Sequence, residues 1–352
     1  LKSSSNKAST PEMPATVRRI AKLAGVSSMT VSRALGNRPR VSEETRRNVL
    51  KIAQRLGYRP DPEITKLMHH MRRRVRPQFQ SVICGITNWP TEAKPAYFEA
   101  LLEGAARQAR ERGYGFSVVR FATEAGGSAR LQRELRTRGV QGLLLLPQRA
   151  PQDLRELLDW REFSTVAASV SVVGPEVNRA SPHHFANTLQ LCRELTRLGY
   201  RRIGLVIDGG QDSRVNHGFS AAVVSHGRNG AGDSVAPLVV TGDLSEKLAP
   251  WFKCERPDAI VTSDERGARE CARLLKFKIP GSVGFACTSV QTSDETAPLM
   301  AGIDEQPAEI GVISVDLLAG MVERRVRGLP AAPTSTLLAG RWCAGLSCPK
   351  RK

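Results

Sequence analysis

Chemistry is densest between Ser28 and Leu35, in the stretch SMTVSRAL. Ser28 can donate or accept a hydrogen bond, and Met29 offers apolar contact of the kind a thymine methyl would meet. Arg33 carries a planar fork that fits either a guanine edge or a phosphate. Thr30 and Ser32 suit phosphate oxygens. On a helix, Ser28, Met29, Ser32 and Arg33 lie away from Val31, Ala34 and Leu35, so a polar row would stand opposite a buried one. Such a row can read DNA only if another element holds its helix against a groove.

The flanking residues supply that element. Val17, Ile20, Ala21 and Ala24 recur at helical spacing, Gly25 tolerates the backbone of a tight turn, and Ser27 can cap the next helix. The pattern predicts a helix-turn-helix whose second helix docks in a major groove. A third helix is expected after Ser42, with Glu43 and Glu44 in its first turn and Gly57 past its last. Its apolar set, Val49, Ile52, Ala53 and Leu56, closes a small core. Arg18 and Arg19 on the first helix lie where a flanking DNA backbone would run.

Charge separates this reading from a generic three-helix module. The 352-residue chain has a net charge of +18. Residues 1–80 hold 18 Lys or Arg and 5 Asp or Glu, which is +13, leaving +5 for the other 272 residues. A basic head on a nearly balanced body is the electrostatic footprint of a nucleic-acid binder.

The segment AKLAGVSSMTVSRALGN resembles the head of the lac-repressor family of bacterial transcription regulators. Weaker similarity continues through LGYRPD (56–61), LGYRRIGLV (198–206), PDAIVTSDERGA (257–268) and IPGSVGF (279–285). The resemblance implies base reading by Ser28, Met29 and Arg33, and, within 61–80, a short hinge helix that pairs across a dimer and is followed by a basic linker. Asp61 can cap that hinge, Pro62 suits its first turn, and Ile64, Leu67, Met68 and Met71 share one face. Leu67 matches the leucine that wedges into the minor groove; packing in a dimer contact is the other reading. Family hinges are rich in small residues, and this one is not. Arg72, Arg73, Arg74 and Arg76 either hold phosphates or form a solvated linker, and the pair His69–His70 lacks partners for a metal.

From Ser81 the pattern changes to apolar strands alternating with helices. VICGIT (82–87), FSVVRF (116–121), GLLLLP (142–147), TVAAS (165–169), IGLVI (203–207), PLVVT (237–241), AIVTS (259–263) and VGFAC (283–287) predict parallel sheets covered on both faces. About 270 residues exceed one such sheet, so two lobes are expected. The family resemblance implies a periplasmic-binding-protein-like α/β body of two Rossmann-like lobes. The expected organisation is a disordered tail at 1–15, a head at 16–60, a hinge and basic linker at 61–80, an effector-binding and dimerisation body at 81–346, and a basic tail at 347–352. Lobe 1 would hold 81–173 and 291–325, and lobe 2 would hold 174–290 and 326–346, with crossings near Gly174 and Gln291.

Ligands of open α/β sheets bind beyond the carboxyl ends of strands, which in two lobes means the cleft between them. Asn88 and Trp89 follow the first strand; Trp89 either stacks on a sugar ring or belongs to the core, and Tyr97 and Phe98 have the same standing. Asp264 follows AIVTS, where the resemblance implies a bond to a sugar hydroxyl and where a helix cap is equally sensible. Arg214 resembles an effector-contacting arginine, one residue early relative to Gly218. Two further positions depart from the family: Ser181–Phe185 holds no acid before its helix, and Ala286–Cys287 stands where an aspartate is usual.

The seven cysteines are scattered with no CxxC pair, which reads as reduced thiols. The chain has no Walker loop, HExxH, GxSxG or dinucleotide fingerprint, so no enzyme, cofactor or metal centre is expected. No run spans a membrane and no export signal is read, so the expectation is a cytoplasmic, nucleoid-associated protein. Without a leucine-heptad tail, the expected assembly is a homodimer on a pseudo-palindromic operator, modulated by a small molecule of carbohydrate type. A regulator that has lost effector control and a solute-binding protein are the alternatives.

Overall fold

The computed structural model describes residues 16–35, 41–58, 82–90, 95–121, 127–228, 233–290 and 299–351, omitting the side chains of Arg18, Ser28, Met29 and Ser32. The chain forms two compact units, Leu1–Gln78 and Phe79–Lys352.

The first unit holds α1 (Val17–Ala24), α2 (Ser28–Leu35) and α3 (Glu43–Arg55). Each begins on a hydroxyl cap. Thr16 accepts from the Arg19 amide at 3.2 Å, Ser27 from the Thr30 amide at 3.1 Å, and Ser42 from the Thr45 amide at 3.2 Å. Such caps contribute about 1 kcal/mol each. Gly25 ends α1 at φ 66°, a left-handed conformation that a Cβ would strain, and so turns the chain into α2. Ile20, Val31 and Val49, all fully buried, meet at the centre, one from each helix. The predicted hinge, including Leu67, lies outside the described residues.

The second unit runs β1 (Val82–Thr87), α4 (Ala96–Glu111), β2 (Gly115–Arg120), α5 (Gly127–Thr137), β3 (Val140–Leu145), β4 (Gln152–Asp153), β5 (Ser164–Ala167), β6 (Val172–Gly174) and β7 (Asn178–Pro182). It continues with α6 (His184–Arg197), β8 (Ile203–Asp208), α7 (Gly209–Arg214), α8 (Gly218–Arg228), β9 (Leu238–Val240), α9 (Leu244–Glu255) and β10 (Ala259–Thr262). It closes with α10 (Glu265–Leu275), β11 (Gly284–Cys287), β12 (Ala301–Asp304), α11 (Pro307–Arg324), β13 (Ser335–Leu338) and β14 (Arg341–Cys343). Among the described residues, two six-stranded sheets result, ordered β13-β7-β5-β3-β1-β2 and β14-β12-β11-β10-β8-β9. All neighbours are parallel except β12 and β14. In lobe 1, α4 and α11 cover one face and α5 the other; in lobe 2, α6 and α8 oppose α9 and α10. Both faces of the inner strands β1, β3, β5, β8, β10 and β11 are therefore covered, as their apolar sequences require.

The expected crossings at Gly174 and Gln291 are corrected by the sheet order. Polar β7 (NRASP) still pairs within lobe 1, between β5 and β13, so the chain leaves after Pro182. It returns after β12, at Asp304, because β12 pairs with β11 in lobe 2. A third crossing joins β13 in lobe 1 to β14 in lobe 2, so 326–346 is shared between the lobes. Both β7 and β12 hand the chain to the other lobe from their carboxyl ends. The carboxyl ends of the two sheets therefore face each other, and the cleft lies between them.

Candidate nucleic-acid interface and effector cleft

In the head, Arg18 lies on α1, and Ser28, Met29, Thr30, Ser32 and Arg33 all lie on α2, the helix after the Gly25 turn. Arg33 is half-buried on α2, whose Val31 and Ala34 face the core. The Thr30 hydroxyl hydrogen-bonds the Ser27 hydroxyl at 2.9 Å, which gives it a capping task beside any phosphate contact.

The cleft is built around its crossings. The His183 amide donates to the Leu338 carbonyl at 2.9 Å, the Gly340 amide to Asn187 Oδ1 at 2.8 Å, and Gln306 Nε2 to the Ala339 carbonyl at 2.7 Å. His184 Nδ1 and Glu305 Oε1, 2.9 Å apart, join the first crossing to the second. Glu305 is 5% exposed, so its carboxylate depends on this partner. The His184 ring also meets Phe219 edge-on, centroids 5.3 Å apart.

Around this stitch the structure gathers Arg214 from lobe 2 and Tyr97 from lobe 1. Burial pushes the Arg214 guanidinium below its ordinary value, against the pull of Glu305, Tyr97 and Asp208. Burial pushes the Tyr97 phenol well up, Glu305 adds to that and Arg214 opposes it. Arg214 is set by the turn after α7. Buried Asp212 accepts from the Ser220 hydroxyl at 2.6 Å and the Ser220 amide at 3.2 Å, and its other contact is His217 Nδ1 at 3.2 Å. Asn216 and His217 take left-handed φ of 55° and 58° there.

The remaining expected residues divide. Asn88 is spent on its own lobe. Its amide donates to Gln148 Oε1 at 3.0 Å, its Oδ1 accepts from the Arg149 amide at 3.0 Å, and its Nδ2 reaches Gln152 Oε1 at 3.4 Å. Trp89 packs on buried Phe98 with centroids 6.4 Å apart, and Arg149 lies 5.8 Å over its ring. Its indole N–H is buried with no acceptor among the described residues. Asp264 caps α10 through the Gly267 amide at 2.8 Å and still lines an open cavity of about 920 Å³ with Asp208, Gln211 and Thr262. Ala286 and Cys287 are fully buried in β11, and burial pushes the Cys287 thiol up to about 12, so neither offers a polar group to the cleft. Glu305, His184 and Asp208 were missed in sequence. Asp208 ends IGLVI as Asp264 follows AIVTS, a signal that was available; Glu305 gives none until the second crossing is placed.

A helix-turn-helix unit on a two-lobed periplasmic-binding-type body defines the class of protein. Residues 16–61 match the family model "Bacterial regulatory proteins, lacI family", and residues 192–348 match "Periplasmic binding protein-like domain". The chain is 25% identical over 194 residues to the HTH-type transcriptional repressor PurR of Haemophilus influenzae, covering 54% of each. It thus spans about half the length of that curated relative. It is 26% identical over 338 residues to the ribose operon repressor of Escherichia coli K12, covering 86% of this chain and 92% of that protein. By fold it is similar to the transcriptional regulator CelR in complex with cellobiose (TM-score 0.58, 19% identity, 95% of this chain and 99% of that one). It is equally similar to the lac repressor dimer bound to operator and the anti-inducer ONPF (TM-score 0.58, 17% identity, 96% and 99%). The lacI-family match thus covers the head, and the periplasmic-binding match covers the latter part of the body.

Proposed function

We propose that this chain is a dimeric, sequence-specific transcription repressor whose operator affinity is set by a small molecule, of carbohydrate type, held between the lobes. The observation that carries the reading is the capped, glycine-turned pair α1–α2 with Arg33 on its second helix, within the first 80 residues, which hold +13 of the +18 net charge. Ser28, Met29 and Arg33 read bases, Thr30, Ser32 and Arg18 hold phosphates, and Leu67 wedges the central step. In the cleft, Trp89, Arg214 and Asp264 touch the effector, while Asn88 orders the loop beneath it. The effector changes operator affinity only through its different affinity for the two lobe arrangements. No catalysis is involved, and the site of action is the bacterial nucleoid.

Selection of bound duplexes from a random pool, by purified protein at fixed salt, tests this. The expected product is a pseudo-palindrome with a deformable central step. Salt-sensitive binding with no recovered motif would overturn sequence-specific recognition.

A further inference from the structure

At the end of lobe 1 away from the cleft, a second cavity of about 360 Å³ lies between the amino ends of β3 and β5 and the last turn of α11. Gln141, Ser164, Val322, Arg325 and Arg327 line it, with no carboxylate among them. The backbone that carries the two arginines is pinned at three points. The Val326 amide donates to the Met321 carbonyl at 2.9 Å, the Ser164 hydroxyl to the Val326 carbonyl at 2.6 Å, and the Gly328 amide to the Phe163 carbonyl at 3.0 Å. Arg325 and Arg327, on either side of Val326, therefore reach one cavity from a fixed base.

No ion pair or side-chain hydrogen bond reaches Arg325, Arg327 or the Gln141 carboxamide among the described residues. Acids of the neighbouring segments do not fill the gap. Asp159 pairs with Arg161, Glu162 with Arg136, and Glu323 does not line the cavity. Two like charges brought to one cavity repel each other until an anion joins them. The last carbonyls of α11 would oppose an anion, but two of them, Met321 and Val322, already accept from the Val326 and Arg325 amides.

We propose that this cavity binds a phosphoryl group. Two guanidinium forks and a carboxamide N–H₂ offer more donors than a carboxylate can take, and suit the several terminal oxygens of a phosphate. Its charge of about −1.5 to −2 at neutral pH balances the two arginines. Free inorganic phosphate and the phosphoryl end of a small phosphomonoester share this chemistry. The site is separate from the effector cleft, which lies at the opposite, carboxyl ends of the strands.

The test is equilibrium dialysis of the full chain against labelled inorganic phosphate, at constant ionic strength held with chloride. Saturable uptake of one phosphate per chain is expected. Arg325→Gln and Arg327→Gln should each weaken it on the order of tenfold, while Arg201→Gln, at an exposed position on lobe 2, should leave it unchanged. Both cavity arginines are exposed, so the melting temperature without phosphate should stay at the wild-type value; if a Gln variant melts early, Lys at that position replaces it. Displacement by glycerol 3-phosphate at lower concentration than by unlabelled phosphate makes the ligand a phosphomonoester; displacement at equal or higher concentration makes it free phosphate. No saturable uptake, uptake unchanged in both cavity variants, equal loss in Arg201→Gln, or displacement by acetate as effective as by phosphate overturns the proposal.

Discussion

His226 shows how one residue sets a pH dependence. It is 4% exposed, and its Nε2 lies 3.0 Å from the Thr196 hydroxyl oxygen. That hydroxyl gives its proton to the Cys192 carbonyl at 3.0 Å, so it accepts from His226, whose Nε2 carries a proton. Burial pushes the imidazole below its usual 6.5, and Arg193 adds to this. The unfolded chain therefore binds a proton that the folded chain refuses. Stability from this residue is fully present above about pH 6.5 and is lost as pH falls toward the lower folded value. The urea midpoint should drop between about pH 7 and pH 5 in the wild type, and the drop should shrink in His226→Asn. An unchanged slope in that variant would place the pH sensitivity elsewhere. The cleft residues teach a different lesson at this scale. Asn88 and Asp264 were both visible as strand-end polar residues. Sequence could not show that Asn88 spends its side chain on Arg149 and Gln152, because the partners lie some 60 positions away.

Between elements, the tightest packing is α4 against α11. A Cβ on Gly104 would collide with the Ala308 carbonyl, and one on Gly311 with the Leu101 carbonyl. The two helices thus approach backbone to backbone over the face of sheet 1 that buries Leu144 and Val166. Gly104→Ala should destabilise the body by about 1–3 kcal/mol, as overpacking does, read from denaturant unfolding. A neutral or stabilising result would mean the helices can part at no cost. The apolar inner strands were legible because each is buried on two faces. The strands at and beside the crossings were not: β7 (NRASP), β13 (STLL) and β14 (RWC) are short and carry polar or exposed residues. Apolar β6 ends at Gly174, which drew the expected crossing one strand too early.

For the whole molecule, charge rather than packing carries the strongest expectation. Residues 1–80, the head with its flanking tail and linker, hold +13 and the remaining 272 hold +5. Much of the body's arginine is neutralised locally, for example Arg112 with Asp316 at 2.7 Å and Arg273 with Glu270 at 2.6 Å. Exposed pairs of this kind contribute little stability, but they leave few cations to meet a distant polyanion. Phosphate neutralisation releases counterions, so operator affinity should fall about 10³–10⁵-fold between about 50 and 200 mM salt if six to ten phosphates are contacted. That slope should belong to the head. Arg201→Gln and Arg228→Gln, at exposed positions on the body, should leave it unchanged. Arg33→Ala separates the two chemistries its guanidinium allows. If Arg33 reads a guanine, as proposed, discrimination at one base pair should weaken by about 1–3 kcal/mol while the slope holds. Uniform weakening across sequences with the slope reduced by about one would instead make Arg33 a phosphate contact. A slope that drops with the body substitutions would mean that DNA is held by more of the molecule than its basic head.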